Sequence, residues 1–243
     1  MNVRKEVNPF LAVAVALGAL IAMICGVTGA SWPAAAAAGG LVTLVLGGYF
    51  LYFFRDPPRI APQDDSAVVS GAEGRIAGII TLPLEDLRRK VARAGLKAEQ
   101  VRGLLRTDAV RISIFLSPLN VHVNRAPISG ESRFLGYFPG RHFFTFKEKS
   151  SDYNQHNSIL IQNERTCCLL NQIVGPVCRR VVYWPDHDRP VQVRKGDPIG
   201  MMKFGSRLDM YFPADTITVV VKEGDPVRAG ETIMARLRTE VKS

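Results

Sequence analysis

The sequence lacks charge over a long stretch near its beginning. No Asp, Glu, Lys or Arg occurs from Val7 to Phe54. A helix needs about 20 apolar residues to span a bilayer, so this stretch has room for two such helices. We therefore predict a transmembrane hairpin, with helices over about residues 9–29 and 34–54 and a turn at 29–33, where Gly, Trp and Pro occur.

Basic residues on both sides of the hairpin indicate its orientation. Arg4 and Lys5 precede the first span, whereas Arg55 and Arg59 follow the second. Because basic flanks stay in the cytoplasm, we expect both ends and the following domain on the cytoplasmic side of the inner cell membrane. A secretory signal peptide is the alternative for the first span, but the second apolar segment would still anchor the chain.

Several familiar motifs are also missing. The sequence contains no Gly-rich phosphate loop, G-x-S-x-G, H-E-x-x-H or C-x-x-C. These absences argue against the common nucleotide, hydrolase and zinc classes, and no metal site is predicted. The four cysteines lack disulfide or metal spacing, which fits a reducing compartment; they are Cys25, Cys167, Cys168 and Cys178.

Positive charge dominates after the hairpin. Only Arg4, Lys5 and Glu6 are charged before Arg55, so residues 55–243 hold 29 Lys and Arg against 21 Asp and Glu. A membrane-tethered domain with this surplus is attracted to anionic lipid head groups. No nucleic-acid-binding motif accompanies the charge, and nucleic acid is not an expected partner.

The pattern of residues 55–243 predicts a mainly β, α+β domain that resembles a β-sandwich and contains a short helical segment. Residues 55–65 are a Pro-rich linker, and residues 67–84 alternate like a hairpin. Residues 84–105 predict one or two basic amphipathic helices broken near Gly95, lying either on the membrane or on the domain's own core. Further strands are predicted at 110–116, 121–130, 133–139, 142–146, 158–164, 166–175 and 179–184.

Two similar phrases follow, VRKGDPIGMMKFG at residues 193–205 and VKEGDPVRAGETIMARL at residues 221–237. Each predicts a strand, a Gly-Asp-Pro turn and a second strand, as in a sandwich of pseudo-repeated hairpins. Where the first phrase ends, Gly205 and Ser206 interrupt the strand-like stretch GMMKFGSRLDMYFP. A Gly inside a strand marks a bulge, a bend or a close approach to the backbone.

Segments spread over the domain resemble one known family. They are RDPPR (55–59), SGAEGRI (70–76), SPLNVHVNRAPISG (117–130), KSSDYNQHN (149–157) and MKFGSRLDMYFP (202–213). On these segments the chain resembles the phosphatidylserine decarboxylases, in their short bacterial and archaeal form. VHVNRAP together with FGSR is highly specific.

The resemblance implies that the chain cleaves itself between Gly205 and Ser206, into a β chain of residues 1–205 and an α chain of residues 206–243. Ser206 Oγ would attack the Gly205 carbonyl, and Gly resists the required bend least. The resulting ester would eliminate to dehydroalanine, and hydrolysis would release ammonia and leave a covalent pyruvoyl group as the cofactor, with no external one.

The implied reaction converts phosphatidylserine in the membrane to phosphatidylethanolamine and CO2 through a Schiff base, as a step of phospholipid biosynthesis. A membrane anchor fits this substrate, because tethering raises the local concentration of lipid head groups. Family members often pair, so a homodimer is expected.

The resemblance also assigns roles to side chains. His122 matches the family's proton-transferring histidine, and Glu73 stands where the family usually has an Asp that assists the base in self-cleavage. Longer family members carry a second histidine at the place of Arg125, and the short form shares the Arg. The segment NQHN (154–157) departs from the NERN that the resemblance leads us to expect. Its His156 would be either a stand-in near the site or a loop residue. Arg207 would contact the substrate phosphate or form a surface ion pair.

Two other interpretations of the sequence remain open. A non-catalytic, membrane-tethered β-sandwich module for binding or adaptor functions would suit the phrase at 221–237, and it predicts an uncut chain with a bulge at Gly205-Ser206. The second interpretation is a pyruvoyl enzyme that acts on another amino acid or amino-acid-derived lipid.

Overall fold

The computed structural model describes residues 2–145, 149–176, 180–203 and 206–238, apart from the side chain of Ser206. These residues form two compact units, Met1–Pro58 and Arg59–Ser243. Gly205 lies outside the described residues, as does Cys178.

The first unit is a helical hairpin. Helix α1 (Asn8–Val27) and helix α2 (Trp32–Phe53) are both long and apolar enough to cross a membrane. They approach closely at Gly18 and Gly39, where a Cβ on either residue would overlap the other's carbonyl oxygen. The predicted turn at 29–33 is partly wrong, because Trp32 and Pro33 already belong to α2. Pro fits there since its missing N–H is not needed in a helix's first turn.

Most of the regular secondary structure in the second unit is sheet, as the predicted mainly β fold class requires, and its strands pair antiparallel. Strands are numbered in chain order, and β1 (Asn2–Val3) pairs with β2 (Arg55–Asp56) within the first unit. The large sheet has eight strands in the order β11 (Val191–Val193), β7 (Gly130–Phe138), β8 (His156–Gln162), β9 (Cys167–Val174), β13 (Ser206–Pro213), β5 (Ala109–Leu116), β4 (Gly74–Leu82) and β15 (Pro226–Val227).

Two smaller sheets and a few helices complete the unit. One small sheet has the order β10 (Arg180–Tyr183), β12 (Pro198–Lys203) and β6 (Val123–Arg125), and the other has β14 (Ile217–Val219), β16 (Ile233–Leu237) and β3 (Ala67–Val69). The helices are α3 (Leu84–Arg93) and α4 (Ser150–Tyr153), with 3-10 turns at Lys5–Val7, Ala98–Val101 and Leu104–Arg106.

Strand β13 separates the two cores of this unit. Leu208 and Met210 lie in a core built with the two small sheets, which gives the predicted sandwich. Tyr211 faces the opposite side, where Leu87 and Val91 of α3 cover the large sheet. The predicted break near Gly95 is confirmed. Because the apolar side of α3 is buried, the structure supports packing of this basic helix on the domain's own core.

Strand pairing departs from the predictions in three places. The hairpin at residues 67–84 is wrong, since β3 and β4 belong to different sheets. The strands on either side of the first Gly-Asp-Pro turn, β11 and β12, also belong to different sheets. Finally, the two described parts of the strand-like stretch at 200–213 belong to different sheets, with β12 in a small sheet and β13 in the large one, and the predicted interruption at Gly205 lies outside the described residues.

The predicted strand at 142–146 is also incorrect over its described residues, because residues 142–145 form a loop. The buried Asn154 side chain provides the hydrogen bonds that a neighbouring strand would otherwise supply. Its Oδ1 accepts from Phe143 N at 2.9 Å, and its Nδ2 donates to Phe143 O at 2.7 Å.

Candidate active site at the start of the central strand

Ser206 is the first residue of β13, at the point where the chain enters the large sheet. In the strand register it lies beside Leu116, the last residue of β5, and beside Val174, the last residue of β9. The loops that leave β5 and β9 therefore begin next to Ser206. Gly205, the other predicted cleavage residue, lies outside the described part of the chain.

The loop after β5 brings His122 toward this position. Its tight turn is fixed by Asn120, whose Oδ1 accepts from Ser117 N at 2.9 Å and from Ser117 Oγ at 2.8 Å. His122 itself is fully buried, and its Nδ1 lies 2.9 Å from Asn120 O. Because a carbonyl oxygen only accepts, this contact puts the ring proton on Nδ1, and the neutral ring then has its lone pair on Nε2.

Backbone hydrogen bonds join the His122 segment to the strand that leads toward Ser206. Met202 N donates to His122 O at 3.1 Å, and Val123 pairs with Met201 in the β6–β12 ladder. The imidazole is therefore held by the same piece of chain that precedes the predicted cleavage position. This arrangement fixes the ring relative to residues 201–203.

Glu73 reaches the same segment from the corner between β3 and β4. Its Oε1 accepts from Val121 N at 3.1 Å, and its other oxygen pairs with Arg59. Arg59 also contacts Glu231, with 3.0 Å between Nη1 and Oε2. Glu73 thus holds the backbone immediately before His122, and a half-buried guanidinium neutralises its charge.

His156 is neither exposed nor in a loop. It begins β8, is 8% exposed, and stacks on Phe138 with 5.4 Å between ring centroids. Its Nδ1 lies 2.9 Å from Asn154 O, and burial lowers the pKa of the imidazole. The loop alternative is wrong. The register row runs from His156 through Ile173 to Arg207, so His156 is two strands from the residue that follows Ser206.

Arg207 forms a buried ion pair, and the prediction of a surface pair is wrong. It is 1% exposed, its Nε lies 2.8 Å from Asp209 Oδ1, and it donates to Ser113 Oγ at 2.7 Å. Asp209 is fully buried and also lies 4.0 Å from Arg111 Nε. Burial opposes its charge, but the guanidiniums of Arg207 and Arg111 outweigh that effect and lower the pKa of the carboxyl.

Sequence reasoning missed Asp209, Arg111 and Asn154. Polar or charged residues recur at alternate positions in the strands VRISIFL and SRLDMYF, as Arg111 with Ser113 and as Arg207 with Asp209. Alternation places such residues on one face of a sheet, so this pattern was the available signal. The sequence carried no comparable signal for Asn154.

Comparison with known proteins matches this sequence to a class of lyases that decarboxylate their substrates. Residues 46–235 match the family described as phosphatidylserine decarboxylase. A phosphatidylserine decarboxylase proenzyme of Desulfotalea psychrophila is 35% identical over 197 residues, covering 81% of this chain and 83% of that protein. One of Chlorobium chlorochromatii is 38% identical over 188 residues, covering 77% and 79%.

The chain therefore belongs to the phosphatidylserine decarboxylase family. It is a carboxy-lyase, and the name proenzyme, shared by these relatives, marks a protein that is processed after synthesis. Family membership decides against the non-catalytic binding module.

Proposed function

We propose that this chain cleaves itself between Gly205 and Ser206, converts Ser206 to a pyruvoyl group, and decarboxylates phosphatidylserine to phosphatidylethanolamine and CO2. The observation that carries the proposal is the position of Ser206. It opens β13 between the ends of β5 and β9, and the His122 segment is bonded to the strand that leads toward it.

His122 is the proposed proton-transfer group for both cleavage and decarboxylation. With its proton on Nδ1 facing Asn120 O, the ring can accept a proton at Nε2 and return it. Full burial keeps water from competing at this position. Glu73 supports this step by fixing Val121 N, so its proposed role is to position the imidazole.

The residues present fit a pyruvoyl group, because a Gly-Ser bond and a buried imidazole are what its formation requires. Once formed, the group supplies a carbonyl that makes a Schiff base with the substrate amine and takes up the electron pair left by CO2. The chain's own residues would bind the diacyl lipid and exclude water.

Strand pairing supports the proposal that the two products stay together. Within the described residues, β13 of the α chain pairs with β5 and β9 of the β chain, and β16 pairs with β3. Hydrogen bonds on both sides of a central strand hold it after its N-terminal peptide bond is cut.

We also propose a homodimer, which light scattering of the purified protein in detergent would measure.

The location of the reaction is part of the proposal. The hairpin would hold the domain at the cytoplasmic leaflet of the inner membrane, with both ends of the hairpin inside. Protease added to sealed inverted vesicles should digest residues 59–243, whereas protease added to intact spheroplasts should not. Digestion from the outside would refute this orientation.

Intact mass spectrometry of the denatured protein tests self-cleavage. We expect two chains split after Gly205, with the smaller one lighter by one ammonia than a Ser-terminated chain. Ser206→Ala should give one uncut chain, and the exposed Ser129→Ala is the matched control that should still be cut. A single uncut chain in the unmodified protein would refute the proposal.

Labelled lipids test the substrate. Membranes that contain the processed protein should release CO2 from phosphatidylserine in preference to other lipids with an amino-acid head group. Equal or faster release from a competing aminoacyl lipid would assign the pyruvoyl enzyme to that substrate.

A further inference from the structure

Two exposed apolar side chains flank the position of Ser206. Leu119 is 64% exposed at the tip of the turn after β5, and Phe144 is 55% exposed in the loop at residues 142–145. A single exposed apolar side chain is ordinary on a protein surface, but apolar side chains gathered beside a site mark an interaction surface. Both loops are tied to the strand ends beside Ser206, so the two side chains lie on the rim of the candidate active site.

Hydrogen bonds fix the Phe144 loop to this rim. Asn154 holds Phe143 through both its N–H and its carbonyl, and Asn154 Nδ2 also donates to Val174 O at 2.8 Å. On the other side, Ser117 and Asn120 fix the turn that carries Leu119. Strands β5 and β9 are separated only by β13, so these anchoring points are about 10 Å apart.

Positive charge accompanies the apolar side chains. Lys149 Nζ lies 4.1 Å from the centre of the Phe143 ring, and the Arg141 guanidinium lies 5.6 Å from it. Both basic residues are exposed. Aromatic and aliphatic side chains next to Lys and Arg are the combination that membrane interfaces favour, since the apolar groups enter the acyl boundary and the cations meet phosphates.

We propose that this rim, defined by Leu119, Phe143, Phe144, Arg141 and Lys149, docks onto an anionic bilayer surface. Leu119 and Phe144 insert at the interface, and Arg141 and Lys149 contact lipid phosphates. The occupant is a bilayer because the same chain carries two helices able to span one. This proposal rests on the proposed function, and it explains how a head group reaches Ser206 without the lipid leaving the membrane.

Fluorescence of single tryptophans tests the docking directly. Leu119→Trp and Phe144→Trp are each made in the full chain, in a background where Trp32 and Trp184 are replaced by Phe, and reconstituted in vesicles of phosphatidylcholine and phosphatidylglycerol. Lipids brominated near the head group should quench both tryptophans. The matched control is Ile80→Trp, because Ile80 is 37% exposed and pairs with Arg111, five residues along β5 from Leu116.

Quenching at positions 119 and 144 but not at 80 would support the proposal. Absence of quenching at either rim position, or equal quenching at position 80, would overturn it. This readout does not require decarboxylation, so it separates failure of the docking proposal from failure of the proposed function, which mass and product analysis report.

Enzyme kinetics give a second test. The double variant Leu119→Ser with Phe144→Ser should lower the ratio of activity on bilayer phosphatidylserine to activity on a monomeric short-chain analogue about tenfold. Ile80→Ser should leave this ratio unchanged. An unchanged ratio in the double variant would contradict insertion of the rim, because a purely structural defect lowers both activities together.

Discussion

Two Gly-Asp-Pro turns, at residues 194–198 and 222–226, have nearly the same backbone but hold different parts of the candidate site. Gly196 and Gly224 both have φ of +88°. In each turn the Asp carboxylate accepts the N–H three residues before it, at 2.7 Å in the first turn and 2.9 Å in the second. The local phrase therefore determines the turn, wherever it occurs.

The two turns also bind their neighbours in the same way. Gly196 N donates to Ala126 O at 2.8 Å, and Gly224 N donates to Ile76 O at 2.9 Å. The residue before each acceptor is an Arg whose guanidinium donates to the Gly carbonyl, at 2.9 Å from Arg125 and 3.1 Å from Arg75. One turn thus fixes the backbone shortly after His122, and the other fixes it shortly after Glu73.

The surroundings of the two turns differ. Arg125 is 7% exposed, whereas Arg75 is exposed. The first turn leads into β12, whose described end at Lys203 precedes the predicted cleavage bond, whereas the second leads into the two-residue strand β15. Local chemistry therefore sets the conformation of each turn. Burial and the path of the next strand decide which part of the candidate site the turn holds.

The largest effects should come from the residues whose segments the turns fix. His122→Ala should slow self-cleavage about 10²–10⁴-fold, because it removes the proton acceptor. Glu73→Gln should slow it less, since the amide oxygen can still accept from Val121 N while Arg59 loses a charged partner. Cell-free synthesis followed by mass analysis over time measures both rates.

The exposed His187→Ala serves as the control for loss of an imidazole elsewhere and should cleave normally. A His122→Ala chain that is cut at the unmodified rate would remove His122 from the cleavage step. A greater loss of cleavage rate in Glu73→Gln than in His122→Ala would reverse the proposed order of importance of these two side chains.

Replacing the turn glycines should separate local strain from surroundings. Ala at either position pays the left-handed penalty of about 1–2 kcal/mol. A Cβ at Gly196 would also lie 2.8 Å from Ala61 Cβ, whereas a Cβ at Gly224 meets nothing within 4 Å. We expect Gly196→Ala to destabilise the domain by about 1–3 kcal/mol more than Gly224→Ala. Urea unfolding in detergent, in a Ser206→Ala background, compares the two free energies of unfolding, and equal losses would contradict the difference.

The two Arg residues, Arg125 and Arg75, test whether burial distinguishes the turns. Arg125→Ala removes a buried donor to Gly196 O and should lower the free energy of unfolding by about 1–3 kcal/mol. Arg75→Ala removes an exposed donor from an equivalent bond, and the change should stay within about 0.5 kcal/mol. The same urea measurement checks this, and a loss at Arg75 as large as that at Arg125 would show that burial does not distinguish the turns.

These turns also show which structural features could be predicted from the sequence. Their conformation could be predicted, because Gly before Asp-Pro supplies a positive φ within the phrase itself. The charge-free run likewise predicted both helices of the hairpin. Sheet membership could not be predicted, since β3 and β4, like β11 and β12, are neighbours in sequence yet belong to different sheets. Propensity decides that a segment is extended, but only long-range packing decides its partner.

The candidate site divides in the same way. His122 and Glu73 are assigned from the resemblance and their roles stay predictions, whereas the ion pair of Arg207 with Asp209 depends on burial that a sequence does not state. Exposed and buried charged pairs look alike in sequence. Only the fold shows that Arg207 and Asp209 are buried on β13 of the large sheet.

The smallest effects should come from the turn aspartates, and here the two turns should agree. Asp197→Ala and Asp225→Ala each remove one carboxylate that accepts a backbone N–H at a half-buried position. Each should therefore cost about 0.5–1.5 kcal/mol of unfolding free energy. Because the two carboxylates accept equivalent backbone N–H groups, those of Arg194 and Lys222, the two losses should be equal within the error of the urea measurement. A much larger loss for Asp197 would mean that the turn before β12 carries strain of its own, and that the local phrase alone does not set its backbone.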